Sequence, residues 1–281
     1  MTARLMNWTE AEHHSNRDAV SFSLLSKFGK VTEDGSELNP GRFLAAWQSK
    51  FAEGKKSRAL EFGTLAHLAV YEPDRLLTEC VARPVKDDGK TIHSTTSKVF
   101  KEFAAQNVGK RLLHPVDLAV TLGLVAAVKA SPAVRRLHDR PSLYREQSIV
   151  ADSDALDTPA GLGLRIRIDQ VLEGDHGWIV EDLKTTEDAS PAAFKKSCWK
   201  FRYFERMAFY LDVAEAYTGV RARGAFIAVT KSEPYQVAVY EPRKADIDEG
   251  RAMYRASLLE LARCFREDDW RAPWEKAPVM L

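Results

Sequence analysis

The sequence predicts an α/β fold: a central mixed sheet flanked by helices, with a helical elaboration at the N-terminus. Three observations predict it. Between Leu164 and Leu172, apolar residues first alternate with charged ones, the period of two that marks a half-buried strand. A turn of hairpin length, Glu173-Gly174-Asp175-His176-Gly177, joins this run to a second one, Trp178-Ile179-Val180-Glu181-Asp182-Leu183-Lys184. On both sides of this hairpin, proline follows a capping residue (Asn39-Pro40, Ser131-Pro132, Ser190-Pro191), which marks helix starts.

The 281 residues fit one elaborated domain. Its expected parts are an N-terminal helical segment over 1–56, a core over 57–240, and a helix with a tail over 241–281. A hydrophobic content of 45% and a charged content of 29% suit a soluble globular protein. Lys and Arg number 41 against 40 Asp and Glu. Whole-molecule charge therefore gives no argument for nucleic acid, and a DNA-binding face must be a local basic patch. Cys80, Cys198 and Cys264 are far apart, with no C-x-x-C pair, so neither a zinc ribbon nor a disulfide framework is supported. No apolar run reaches the roughly 18 residues of a membrane span, and Met1–Asn16 lacks the apolar core of a signal peptide. A reduced, cytoplasmic setting is expected.

Residues 1–16 are polar and read as loosely held. A short serine-capped helix follows over Ser21–Phe28. Residues 29–38 read as loop, and Asn39-Pro40 opens a helix through Trp47. The next helix runs from Ser57 to Tyr71 and ends at Glu72-Pro73, because the residue before proline is pushed out of the α region. Its apolar residues lie nearly all round, so burial is expected. Gly63 costs this helix about 1 kcal/mol relative to alanine, which points to a close backbone contact. His67 lies one turn later on the same face. A lone histidine in such a helix is more often a hydrogen-bonded core residue than a ligand.

Residues 76–83 read as a strand and 84–95 as a polar loop able to sit near a substrate. Helices are expected over 96–106 and 115–130, with a short one from Ser131-Pro132. His93, His114 and His138 read as surface residues. Leu143–Val150 is a strand and 152–160 its turn. The three aspartates of that turn lack the glycine and glutamate spacing of a calcium loop. The hairpin fills 161–184. A helix from Ser190-Pro191 runs to about Tyr217, stopped by Gly219, with Phe201, Phe204, Ala208 and Leu211 at core spacing. Its basic residues, Lys195, Lys196, Lys200, Arg202 and Arg206, interleave with aromatics and suit either a phosphate-contacting stripe or a solvated face. Residues 222–231 and 235–240 read as a strand pair turning at Glu233-Pro234. An amphipathic helix spans 244–267, with Met253, Leu258, Leu259, Leu261 and Phe265 as its apolar content.

Asp182 and Lys184 are two apart on a strand and so point to the same side. Once the hairpin pairs, Asp169 joins them. Two carboxylates supply hard oxygen ligands for Mg²⁺ or Mn²⁺. A lysine beside them can hold a water or phosphate oxygen while the metal lowers the water's pKa. Ordinary charges on a surface hairpin would show the same spacing. The order Asp, then Asp-x-Lys about a dozen residues on, resembles the core of the PD-(D/E)xK phosphodiesterases.

Several further stretches resemble one group of these, the RecE-type (exonuclease VIII-like) nucleases, often phage or prophage encoded. Gly63-Thr64 through His67 to Glu72-Pro73 is similar to their GT-x-x-H-x-x-x-x-E-P helix. Arg167-Ile168-Asp169 resembles their R-P-D strand with isoleucine for proline, and Asp182-Leu183-Lys184-Thr185-Thr186 their D-x-K-T-T strand. The resemblance covers most of 20–230. It implies a restriction-endonuclease-like fold and metal-dependent exonucleolytic hydrolysis of double-stranded DNA ends in recombination or repair. An endonuclease or flap nuclease on the same core, or a non-catalytic DNA-binding assembly protein, are the rival readings. It implies His67, Asp169, Asp182 and the Leu183 carbonyl as metal ligands, Lys184 as the residue that positions the water, and Glu146 as an auxiliary acid. It places Tyr210 and Arg206 on a DNA-facing helix, with Arg206 standing where the family carries glutamine. A ring-like homo-oligomer and a single-strand annealing partner follow from the same resemblance.

Overall fold

The run from Leu164 lies at the centre of the molecule. Its alternation predicts one wet face, yet Arg165 and Asp169 are buried together with Ile166 and Ile168. We describe the chain from a computed structural model covering residues 3–32, 35–48, 58–89, 91–156 and 161–276.

The N-terminal part comprises β1 (Ala3–Met6), α1 (Glu10–Ser15), β2 (Ala19–Ser21), α2 (Phe22–Phe28), α3 (Pro40–Gln48), α4 (Arg58–Tyr71) and α5 (Pro73–Glu79). Then come β3 (Cys80–Ala82), α6 (Lys98–Gln106), β4 (Arg111–Leu113), α7 (Pro115–Ala130), α8 (Pro132–His138), β5 (Ser142–Ala151) and α9 (Ser153–Leu156). The hairpin is β6 (Gly163–Gly174) and β7 (Gly177–Thr186). It is followed by α10 (Pro191–Lys200), α11 (Tyr203–Thr218), β8 (Ala222–Thr230), β9 (Val237–Tyr240), α12 (Lys244–Glu267) and α13 (Pro273–Lys276).

A seven-stranded mixed sheet has the order β1-β5-β6-β7-β8-β9, with β2 also pairing β6. The β7–β8 pair is parallel, and its crossover carries α10 and α11, as a parallel connection requires. One face of the sheet packs on α2, α3, α10, α11 and α12 through residues such as Phe43, Phe209, Phe226 and Leu258. The other packs on α4, α7 and α8 through Ala66, Leu124, Leu137, Ile179 and Ile227. The expected mixed sheet between helical layers is therefore present.

The charged face of β6 is covered by the N-terminal residues. Arg165 Nε donates to the His13 carbonyl at 2.9 Å, and its Nη1 donates to the Ala19 carbonyl. Arg167 Nη1 donates to the Trp8 carbonyl at 3.1 Å. Buried guanidiniums need such partners. The expectation of a loose N-terminus is thereby overturned for residues 3–16. β1 pairs antiparallel with β5, and Thr9 and Glu12 form a capping box on α1. His13 is buried, with Nδ1 3.0 Å from Ser148 Oγ.

Other expectations shift locally. Residues 73–79 are helical, because Pro73 starts α5 as well as ending α4, and only 80–82 are strand. The helix expected from 190 to 217 breaks at Arg202, whose φ of 60° is left-handed. That break leaves Phe201 exposed while Phe204, Ala208 and Leu211 are buried as expected. On α12, Leu259 is exposed and the packed face is Ile247, Tyr254, Leu258 and Leu261. Within 152–160, residues 153–156 form α9, and 157–160 lie outside the described residues. So does Ser57, the expected first residue of the His67 helix.

His13 gives the fold a pH dependence. Burial first, and then the positive Arg165, depress its pKa to about 2. In the unfolded chain it takes up a proton below about 6.5. The unfolded state therefore binds the extra proton, and this contribution to stability is lost as pH falls below that value. At pH 5 the loss is about 2 kcal/mol. His13→Gln has no proton to gain, so its melting temperature should drop less between pH 8 and pH 5 than that of the wild type.

Candidate active site

The sheet opens at one point. β6 and β7 are paired from Gly174↔Gly177 to Gln170↔Glu181, and there the pairing ends. Beyond it, β6 takes β2 as a neighbour and β7 continues along β8. Asp169 and Asp182 are the next residues on the two strands. Asp169 Oδ2 accepts the Leu183 N–H at 3.3 Å, spanning the opening where a ladder bond would have been.

Strand β5 is irregular at the same level. Glu146 lies opposite Asp169, between the pairs Arg145↔Gln170 and Gln147↔Ile168. Its φ of 47° is left-handed, a conformation that costs a non-glycine residue about 1–3 kcal/mol. Side-chain phase slips on both strands here. Tyr144 faces the same core as Ile149, and Val171 the same core as Ile168. The register is the same on either side of this point, so Glu146 and Asp169 leave the ladder without an inserted residue on either strand.

Helix α4 brings His67 to this opening, with Nδ1 3.1 Å from Asp169 Oδ2. The donor atoms of His67, Glu146 and Asp169 all lie within 4.8 Å of one another. His67 is thus a member of the site rather than a core histidine. Gly63, one turn earlier, has nothing within 4 Å of where a Cβ would stand. It leaves open space beside the site and makes no close backbone contact.

Electrostatics separate Asp169 from Glu146. Burial opposes ionisation of Asp169, but the charge and hydrogen bond of His67, with Lys184 and Arg206, outweigh it and hold the carboxyl well below the usual range. Burial likewise opposes the charge on His67, and Asp169 overcomes it and raises the imidazole's pKa. Glu146 is raised to about 7 by burial and by Asp169, despite Arg167 Nε at 3.2 Å. Asp182 is paired with the Lys184 ammonium, which also donates to the Leu183 carbonyl at 3.4 Å and stands 5.1 Å over the Tyr203 ring. Burial first, then Arg206, lower the Lys184 pKa against the pull of Asp182.

From the opposite layer, α11 contributes Arg206 and Tyr210. Arg206 Nη2 donates to the Tyr210 hydroxyl at 3.0 Å, and the guanidinium lies 5.0 Å over that ring. Asp182 and Asp169 both stabilise its charge. The rest of the expected basic stripe does not reach the carboxylates. Arg202 turns inward, with Nε 2.7 Å from Glu205 Oε2 and Nη1 3.4 Å from the Ser26 carbonyl. Lys195 is exposed and pairs with Asp246 of α12 at 3.4 Å. Lys196 is exposed on α10. A cavity of about 730 Å³ on another flank of α4, lined by Glu61, Thr64, Arg111, His114 and Lys231 among others, includes none of the site carboxylates.

Glu181 was missed by the sequence reading. It is fully buried on the face of β7 opposite Asp182, where it accepts the Tyr71 hydroxyl at 2.7 Å and lies 2.9 Å from His138 Nε2. His138 lies at the surface, as expected, but its ring is paired with this carboxylate. A charge between Ile179 and Leu183 on an apolar face was the available signal, since such a carboxylate must be paired. Glu181 fastens α4, and with it His67, to the strand that bears Asp182. Glu181→Ala should leave Tyr71 and His138 unpaired and cost about 1–3 kcal/mol for each group that stays buried, against about 1 kcal/mol for Tyr71→Phe. Urea unfolding of the two variants checks this order.

No curated protein matches the sequence. A solved structure from Eubacterium rectale, described as a proposed exonuclease, aligns with 94% of this chain and 88% of its own at 14% identity and a TM-score of 0.61. That likeness is one of fold. LHK-Exo, solved in complex with dAMP, aligns with 62% of this chain and 87% of its own at 17% identity and a TM-score of 0.28, which adds no argument. The model of a family described as a PDDEXK-like domain of unknown function (DUF3799) matches residues 21–279, and the chain, with its sheet opening between two aspartates, belongs to that family.

Proposed function

We propose that the protein is a metal-dependent deoxyribonuclease that degrades double-stranded DNA from its ends, in the service of recombination or repair. Membership of a PDDEXK-like family supports a nuclease. The observation that carries the reading is the convergence of His67, Glu146 and Asp169 beside the Asp182–Lys184 pair, where β6 and β7 part. The preference for ends rests on the resemblance to RecE-type exonucleases, and the description of the Eubacterium rectale protein agrees with it.

Two carboxylates and an imidazole suit Mn²⁺ as well as Mg²⁺. His67, Glu146 and Asp169 would hold the ion, with Asp182 and the Leu183 carbonyl adjoining them. A bound ion supplies Lewis-acid activation of the water and of a phosphoryl oxygen. Lys184, less basic through burial, holds the attacking water by a hydrogen bond and donates to the developing charge on the phosphoryl group. Arg206 and Tyr210 contact phosphate from α11. Lys195 and Lys196 meet the duplex farther out, where their charges act on backbone phosphates without reading sequence. Arg202 supports this layer from within, through Glu205. A ring-like homo-oligomer, a single-strand annealing partner, a phage or prophage origin and action in the host cytoplasm belong to the same proposal. No single helix among the described residues is long and apolar enough to cross a membrane.

The deciding assay is digestion of linear double-stranded DNA by the pure protein with Mg²⁺ or Mn²⁺, with a closed circle as control. Linear DNA alone should be degraded, only with metal, and Asp182→Ala and Lys184→Ala should each lower the rate by at least about 100-fold. Cutting of the circle would move the reading to an endonuclease. Intact DNA in every lane would leave a binding module.

A further inference from the structure

The break between α10 and α11 leaves one aromatic ring in the open beside the candidate active site. Phe201 is 54% exposed, more than any other aromatic residue among the described ones. A lone exposed apolar side chain is ordinary on a protein surface. Phe201 differs in how it is held and in where its ring leads.

The turn that presents it is pinned. The Phe201 N–H donates to the Ser197 carbonyl at 2.9 Å, and the Arg202 N–H to the Trp199 carbonyl at 3.2 Å. Arg202 takes the left-handed φ of 60°, and its guanidinium donates to Glu205 Oε2 at 2.7 Å and to the Ser26 carbonyl at 3.4 Å.

The ring belongs to a stack that ends at the site. Phe201 stacks on Tyr203, with centroids 5.7 Å apart and planes 29° from parallel. The Lys184 ammonium stands 5.1 Å over the Tyr203 ring. These two contacts put Phe201 no farther from the lysine than about three steps of a stacked strand, at about 3.4 Å each.

Cations frame the ring. Lys200 Nζ lies 5.3 Å from its centroid, and Lys196 is exposed on the same helix. A stable protein interface buries about 800 Å² on each partner and keeps charge out of its centre. One phenyl ring among lysines offers far less. A nucleobase needs only the ring, and the phosphates on either side of it are drawn to the lysines. Inside a duplex both faces of a base are covered by its neighbours. Only the last base of an end, or an unpaired base, has a face to give.

We infer that Phe201 stacks on the free face of the base at a DNA end, next to the bond being cut, and so favours ends over duplex interior. Tyr203, between the two, sets the spacing from the stacked base to Lys184. The inference rests on the nuclease reading for its substrate and deepens it by naming the residue that meets the end.

The test changes the protein and the DNA together. Short labelled duplexes carry either normal nucleotides or a few abasic ones at every strand terminus; the abasic ones keep sugar and phosphate but lack the base. Fluorescence anisotropy measures their affinity for the full-length chain with metal withheld, and cleavage is then followed with Mn²⁺. Phe201→Ala should weaken binding of the normal end about tenfold and lower kcat/KM alike. The wild type should lose about as much when the bases are removed, and Phe201→Ala should lose nothing further on the abasic end. Phe201→Trp should keep the preference for the normal end. Equal losses by Phe201→Ala on both ends would reveal a merely structural contribution and overturn the inference. So would a Phe201→Ala protein that binds the normal end as the wild type does, or a wild type that binds neither end. Cleavage of linear DNA that ignores Phe201 removes the stacking contact and leaves the nuclease reading standing. Base-dependent binding through Phe201 without cleavage upholds the contact and removes the nuclease reading.

Discussion

The Asp169 carboxylate sits where two strands separate, and the rest of the site depends on that position. One oxygen takes the Leu183 N–H across the opening and the His67 imidazole from α4. Were β6 and β7 paired along their full length, Leu183 N–H would meet a backbone carbonyl and no side chain from a flanking layer could enter between them. A sheet ordinarily separates its two helical layers completely. Here α4 on one face and α11 on the other both act on the same two aspartates.

The opening is held by charges taken out of water and paired. Glu181 ties α4 and α8 to β7 from one side. Arg165 and Arg167 tie the N-terminal residues to β6 at the His13, Ala19 and Trp8 carbonyls. Arg167 also meets Glu146, so the N-terminal segment and the site share a side chain. Breaking one member of such a set leaves a buried charge without a partner, which costs more than the pair itself contributes. The strained φ of Glu146 persists within this frame.

The near-zero net charge of the chain fits this picture better than an open basic groove does. Part of the charge that could have formed a DNA-facing stripe is already paired within the chain. Arg202 is paired with Glu205 and Lys195 with Asp246. What remains at the carboxylates is Lys184 beside Asp182, Arg167 beside Glu146, and Arg206 from α11. Local composition, not the whole-molecule balance, sets the chemistry.

The sequence by itself determined the elements with strong local signals. Proline and cap residues placed the starts of α3, α7, α8 and α10 within a residue or two, because φ restriction and side-chain capping act over three or four neighbours. Period-two runs and the Gly/Asp turn placed β6 and β7, and the Asp-x-Lys spacing put Asp182 and Lys184 on one side of a strand. Three features were left to the tertiary structure: the end of the β6–β7 pairing, the role of Glu181, and the packing of residues 3–16. Each depends on partners far along the chain, such as Tyr71 and His138 for Glu181 or Ser148 and Arg165 for His13. A carboxylate or an imidazole looks the same in sequence whether it faces water or a buried partner. Its meaning is settled only when packing removes the water and decides which group takes its place.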